Sequence, residues 1–169
     1  MKPEQLGREL RENDSDSMRR RRAIAALSLF NVASMGIITL YQMGVTKHVP
    51  LEPPLPGFDA DKVNGSAQAY EILQTPDAAL GLGSYAATLC LACLGEPARA
   101  DTKPWAPLLL AAKAGGDALF AAKLLVDQPT KYKAACSWCI ASACATFAVA
   151  ALAIPEARKS WRNLATGSS

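Results

Sequence analysis

The chain has 169 residues, 18 Lys+Arg against 15 Asp+Glu, a net charge of +3 and 50% hydrophobic residues, with a mean hydropathy of +0.08. That length fits one ordinary domain, and the charge is too small to argue for nucleic acid. Ala23–Gly44, Ala78–Gly95 and Ala134–Pro155 carry no charge, and Trp105–Val126 carries only Lys113, Asp117 and Lys123, which excludes a soluble globule as the default reading.

Crossing a bilayer takes about 20 apolar residues at about 1.5 Å each. The sequence therefore predicts an all-α membrane protein, a bundle of four transmembrane helices. Residues 1–22 form a basic tail that ends in Arg19, Arg20, Arg21 and Arg22. Span one, about 23–44, is longer than the apolar core of a signal peptide and is read as retained. The loop 45–77 is the largest connection. It opens with Val49-Pro50-Leu51-Glu52-Pro53-Pro54-Leu55-Pro56, a stiff extended stretch. Asp59–Leu73 follows with good helix formers, and Thr75-Pro76 stops it. This predicts a short horizontal helix capping the bundle. Spans two, three and four follow at about 78–95, 105–126 and 134–155, and residues 156–169 form a second tail.

Threading the spans puts twelve basic residues on the side of the termini and four (Lys47, Lys62, Lys131 and Lys133) on the other. The positive-inside rule then places both termini in the cytoplasm and the 45–77 loop outside. Acidic residues Glu4, Glu9, Glu12, Asp14 and Asp16 dilute the arginine run, which argues against nucleic-acid binding. Within span three, Lys113 and Asp117 are four residues apart and share a helix face. Ionisable groups in a membrane usually face protein or a wet cavity, so the pair is read as a structural contact or, functionally, as a proton path or a polar wall to a ligand site. Lys123 and Asp127 repeat the spacing near the outer surface. Gly115-Gly116 is expected to let helices pack closely.

All five cysteines (90, 93, 136, 139 and 144) fall in spans, which excludes a secreted disulfide framework. Cys136-Ser137-Trp138-Cys139 opens span four at its outer end. Residues three apart share a helix face, close enough for a disulfide, and the first turn of a helix favours a thiolate. Cys136 is thus expected to exchange with a partner in water, and Cys139 to lie about one turn, roughly 5 Å, deeper. A metal would need two further soft ligands, and the one histidine, His48, is in the loop; no metal is expected. Cys90 and Cys93 form a second CxxC at the inner end of span two and are expected to be buried small residues, with Cys144 packing.

From Ala23 to Pro155 the chain resembles the vitamin K epoxide reductase family, membrane quinone reductases that drive disulfide formation. The strings that carry the resemblance are Asp61-Lys62-Val63-Asn64-Gly65-Ser66 in the loop, Thr75–Gly81 with Ser84-Tyr85 at the entry to span two, and Tyr132–Ala143 at the CxxC helix. The resemblance implies that Cys136 exchanges with a soluble partner and that Cys139 faces the quinone. Asp77 stands where many members have an asparagine that hydrogen-bonds the quinone carbonyl; a carboxylate does so only when protonated. Ala143 stands where many have a tyrosine. The loop 45–77 contains no cysteine, whereas members often carry a relay pair there, and Ala60 falls near the second relay position.

Two functions follow from these features. One is a thiol–disulfide oxidoreductase that takes electrons from a periplasmic thioredoxin-like protein and passes them through Cys136 and Cys139 to ubiquinone or menaquinone. Its quinone head group would lie against Cys139 with Asp77 and Tyr85 at the rim. The alternative is a non-catalytic membrane scaffold or complex subunit. The alanine- and arginine-rich composition points to a bacterial inner membrane.

Overall fold

The computed structural model describes residues 2–166; Met1 and residues 167–169, the extremes of the two tails, lie outside the described residues. The elements in chain order are α1 (Pro3–Glu12), α2 (Asp16–Gln42), α3 (Ala60–Asn64), a 3-10 turn (Ala67–Tyr70), α4 (Asp77–Cys93), α5 (Arg99–Thr102), α6 (Trp105–Asp127), a π-helical turn (Gln128–Tyr132) and α7 (Ser137–Thr166). The protein is all-α among the described residues. Taken alone, α2 and α7 are long and apolar enough to cross a membrane, and α4 is apolar but shorter.

Helix α2 packs along α4 and α7, and α6 packs along α7, while α4 and α6 touch sparingly. The core is built from small and branched side chains: Ile24 of α2, Ala92 of α4, Leu110 and Ala114 of α6, and Val149 and Ala153 of α7. A polar seam joins α2 to α7. Asn31 Nδ2 donates to Thr146 Oγ1 at 3.1 Å, and Ser142 Oγ donates to Asn31 Oδ1 at 2.9 Å. Buried polar atoms need such partners.

Both tails are more structured than their charge suggests. The arginine run lies inside α2, which starts at Ser15, whose hydroxyl accepts the Met18 N–H. Arg22 donates to the carbonyls of Leu10, Arg11 and Asn13 at the end of α1. Arg21 is buried and donates to the carbonyls of Ala92, Leu94, Gly95 and Glu96. Arg99, fully buried, donates to those of Leu91, Ala92 and Leu94 and forks onto Glu156 at 2.8 and 2.7 Å. The last carbonyls of α4 have no partner within the helix and carry partial negative charge; two guanidiniums satisfy them. The Arg99–Glu156 ion pair also extends α7. Span four was expected to end at Pro155, but the helix continues to Thr166 because Glu156, Ala157 and Ser160 are buried against this end of the bundle. On its next face Lys159 and Asn163 hold Asp101 at 2.8 and 2.7 Å. The Lys159 hydrogen bond, helped by Asn163, keeps the Asp101 carboxyl below the ordinary carboxylate range.

The predicted loop helix over 59–73 is broken into α3 and the 3-10 turn. Asp59 caps α3 by accepting the Lys62 N–H at 2.8 Å. Gly65 ends it: its N–H bonds to Asp61 O at 2.8 Å, and Tyr41 donates its hydroxyl to the same carbonyl at 3.1 Å. A Cβ at Gly65 would lie 2.8 Å from that carbonyl oxygen and 3.0 Å from the Tyr41 hydroxyl. Tyrosine therefore stands in the path of a continuing helix, and only glycine admits it.

Gly115 and Gly116 do not serve close packing. Nothing comes within 4 Å of where their Cβ atoms would be. Cys90, Cys93 and Cys144 were expected to be packed but are exposed on the bundle surface, where apolar side chains of a membrane protein meet lipid.

Candidate active site at the start of α7

Cys136 is the residue from which α7 starts; its carbonyl accepts the Ile140 N–H at 3.0 Å. Its backbone N–H donates to Gln128 Oε1 at 2.8 Å, so the π-helical turn that ends α6 fixes the position of the CxxC. The Cys136 sulfur accepts the Cys139 N–H at 3.3 Å and the Asn64 Nδ2–H at 3.4 Å. The Cys139 thiol donates to Asn64 Oδ1 at 3.5 Å. One amide of the loop thus touches both sulfurs, and both cysteines are unbridged.

Cys136 differs from its expected accessibility: it is 0% exposed. Val49, Ala60, Val63 and Ala134 pack over it. Three sets of contacts hold this cover. The Glu52 carboxylate accepts the Ser137 N–H at 3.1 Å and its hydroxyl at 2.7 Å. Trp138 Nε1 donates to Pro50 O at 2.8 Å. Asp59 N–H bonds to Ala135 O at 2.9 Å, and Ala135 N–H to Gly57 O at 2.8 Å, a single parallel bridge. Gly57 has φ +89°, a conformation glycine adopts freely. Composition could not show that a proline-rich loop folds back on the CxxC rather than spreading over the surface.

Cys139 is half-buried and lines a cavity of about 300 Å³. Asp77, Tyr85, Ala143 and Gln128 line it too, as do Leu80, Phe120 and Leu124 of the loose seam between α4 and α6. Leu80 and Phe120 are themselves exposed on the bundle surface, so the cavity opens sideways between these helices. Asp77, at the first turn of α4, accepts the Gln42 Nε2–H at 2.7 Å. The oxygen of the same amide, Gln42 Oε1, accepts the Ala78 N–H at 3.2 Å. The Tyr85 hydroxyl lies 2.9 Å from Thr146 Oγ1, at the end of the polar seam. The structure thus brings together all four residues singled out from sequence, Cys136, Cys139, Asp77 and Tyr85, at one end of the bundle.

Sequence reasoning missed Asn64, Gln42 and Gln128 as members of this site. Asn64 had a signal, its place in the loop string that carried the family resemblance. Gln42 and Gln128 had only their polarity at the ends of apolar runs.

Lys113 and Asp117 form an ion pair at 2.6 Å. Lys113 Nζ also donates to Ser84 Oγ at 2.9 Å and Thr88 Oγ1 at 2.8 Å. The Ser84 and Thr88 hydroxyls donate to Asp117 at 3.0 and 3.3 Å. Asp117 and Ser84 also line the cavity that Cys139, Asp77 and Tyr85 line. Lys123 pairs with Asp127 at 2.8 Å, and Lys131 joins it at 3.0 Å.

No curated protein matches the sequence. The vitamin K epoxide reductase family matches over residues 22–154, which takes in most of α2, all of α4 and α6, the first part of α7, the loop and the CxxC. The chain belongs to the vitamin K epoxide reductase family, whose members are membrane thiol oxidoreductases that act with quinones.

Proposed function

We propose that this protein is a four-span thiol–disulfide oxidoreductase that passes electrons from a thioredoxin-like partner through Cys136 and Cys139 to a membrane quinone, ubiquinone or menaquinone. The observation that carries this reading is Cys139: its side chain lies on the wall of a mostly apolar cavity that opens sideways at the bundle surface, the kind of site a flat apolar ligand with two polar ends requires. A bound quinone accepts two electrons and two protons. Oxidation of the Cys136 and Cys139 thiols to one disulfide releases both, so no other reactant is needed. A partner thiol then attacks Cys136 of that disulfide, expelling Cys139 as a thiol and forming a mixed disulfide. The partner's second thiol attacks its own bridged sulfur, which releases Cys136 as a thiol and the partner as a disulfide.

The residues present fit a quinone with one substitution of hardware. Tyr85 supplies a phenolic hydroxyl from α4 in the cavity, where Ala143 on α7 has none to offer. Asp77 is held by Gln42 and, when protonated, can donate to a carbonyl. Burial of Cys136 means that exchange requires the Glu52 and Trp138 contacts to open first.

The four-span reading rests on lengths and pairing. The 17 residues of α4 reach about 25 Å and the 23 of α6 about 35 Å, against a hydrocarbon core of about 30 Å. The charges inside α6 are paired with one another or with α4 hydroxyls. With the basic residues on the cytoplasmic side of a bacterial inner membrane, the CxxC faces the periplasm.

Isolated membranes test the proposal. Added quinone should convert the Cys136 and Cys139 thiols to a disulfide, read by the loss of two alkylation sites. Cys139→Ser should trap a dithiothreitol-sensitive adduct on Cys136, and Cys136→Ser should trap none. The absence of relay cysteines from the loop and the burial of Cys136 favour the scaffold reading instead; thiols inert to quinone, with no trapped adduct, decide for it.

A further inference from the structure

We propose that the groove between α6 and α7, at the end of the bundle away from the CxxC, binds one anionic phospholipid. Its phosphate would lie between Arg158 and Arg162, and an acyl chain would follow Leu108, Ala111 and Ile154. The groove has a volume of about 580 Å³ and is wide open to the surface. Its apolar part lies on α6 and α7, and Ile154 is 43% exposed. Arg158 and Arg162 follow Ile154 at successive four-residue steps, so one helix face carries an apolar floor and then two guanidiniums. Trp161, 67% exposed, stands beside them, the residue type that settles at the headgroup level of a membrane.

Charge complementarity selects the occupant. Several cations at this end are engaged by the protein: Arg19 with Asp16, Arg21 with four carbonyls, Arg99 with Glu156; among the described residues Arg20 and Lys103 are not, but neither lines the groove. On α7 itself Lys159 lies on the adjacent face and pairs with Asp101. Among the described residues, no hydrogen bond or ion pair engages the guanidinium of Arg158 or Arg162. Two unpaired guanidiniums in register match the oxygens of a phosphate, which arginine binds in a forked geometry. Below them an apolar groove on a membrane protein takes a hydrocarbon chain. A molecule with both parts is an anionic lipid, and basic pockets between membrane helices are suited to such headgroups.

The full chain in detergent micelles tests this by native mass spectrometry, with phosphatidylglycerol and phosphatidylcholine of the same acyl chains titrated separately. A basic residue near an anionic headgroup contributes about five-fold, so two predict a preference for phosphatidylglycerol of about thirty-fold. Arg158→Gln with Arg162→Gln should reduce that preference below about three-fold, and because both side chains are exposed the fold is untouched. Lys159→Gln, whose amine is held by Asp101 and does not line the groove, should leave it intact. Ala111→Phe, which fills the chain's path and keeps both charges, should weaken phosphatidylglycerol retention, and glycerol 3-phosphate at the same concentration should not displace the lipid. No preference in the unaltered chain, a preference that survives in the Arg158 and Arg162 variant, equal loss in Lys159→Gln, or displacement by glycerol 3-phosphate each overturns the proposal.

Discussion

Glu52 holds Ser137 twice, through the backbone N–H at 3.1 Å and the hydroxyl at 2.7 Å. The residue it thereby covers is Cys136, one position earlier in the chain. A carboxylate at a helix N-terminus is stabilised by the unpaired N–H groups there, so the loop is pinned by the same field that would favour a Cys136 thiolate. Removing Glu52 therefore has two effects in one direction: it unpins the cover and it frees the helix terminus for the sulfur.

Glu52→Ala should speed alkylation of Cys136 by a water-soluble maleimide. A hydrogen bond to a charged group contributes about 1.5–3 kcal/mol, which corresponds to an increase of about ten-fold or more in the open population. Mass spectrometry of the labelled intact chain measures it. An unchanged rate would mean that Glu52 does not gate Cys136 and that the Trp138–Pro50 contact or the Phe58–Ala135 bridge holds the cover.

Asn64 gives a second test, because its amide contacts both sulfurs and its Nδ2 also donates to Ala60 O at 2.8 Å. Asn64→Ala should slow quinone-dependent disulfide formation by about ten-fold, since the two thiols lose their shared orienting partner. The stability cost should be about 1–3 kcal/mol, because three hydrogen bonds of a buried amide are lost at about 1 kcal/mol or less each. Following the loss of alkylation sites against time gives the rate, and thermal unfolding in detergent gives the stability. A normal rate with lowered stability would make Asn64 a brace of the loop and nothing more.

Topology is checked by single cysteines placed where the fold tolerates them, in a background lacking the native thiols. Leu55 is 56% exposed in the loop and Leu164 is 50% exposed near the end of α7. In intact cells an impermeant thiol reagent should label Leu55→Cys and spare Leu164→Cys. Gly57 is a poor choice for the outer probe because its φ of +89° strains any other residue. The reverse labelling pattern would overturn both the orientation and the access of a periplasmic partner to Cys136.

The helices were legible because each apolar run is long and its ends are marked. Thr75-Pro76 set the start of α4 at Asp77, within one residue of the expected 78. The C-terminal limit of α7 was not legible, because Pro155 reads as a stop and what carries the helix onward is a buried ion pair with a residue 57 positions away. The CxxC, Asp77 and Tyr85 could be read from local strings. The burial of Cys136 could not, since it depends on Glu52 and Pro50 reaching Ser137 and Trp138 across more than 80 residues of chain. Nor could Asn64, whose role is set by where the break at Gly65 leaves the end of α3.

Lys113 and Asp117 provide the last test, and one that separates structure from chemistry. Their ion pair sits among the Ser84 and Thr88 hydroxyls, so every charge has a partner in a region of low dielectric. Removing one member strands the other, which in buried pairs costs about 3–5 kcal/mol. Lys113→Met and Asp117→Asn should each lower stability in detergent by that order. The double variant should recover a substantial part, because neither charge is then left alone. Both members bond to the Ser84 and Thr88 hydroxyls of α4, so the pair is expected to hold α4 to α6 rather than to move protons. Quinone-dependent oxidation of Cys136 and Cys139 in the double variant should accordingly stay within about two-fold of the unaltered chain. A double variant that folds stably yet no longer passes electrons to quinone would instead place Asp117 on a proton route to the ligand.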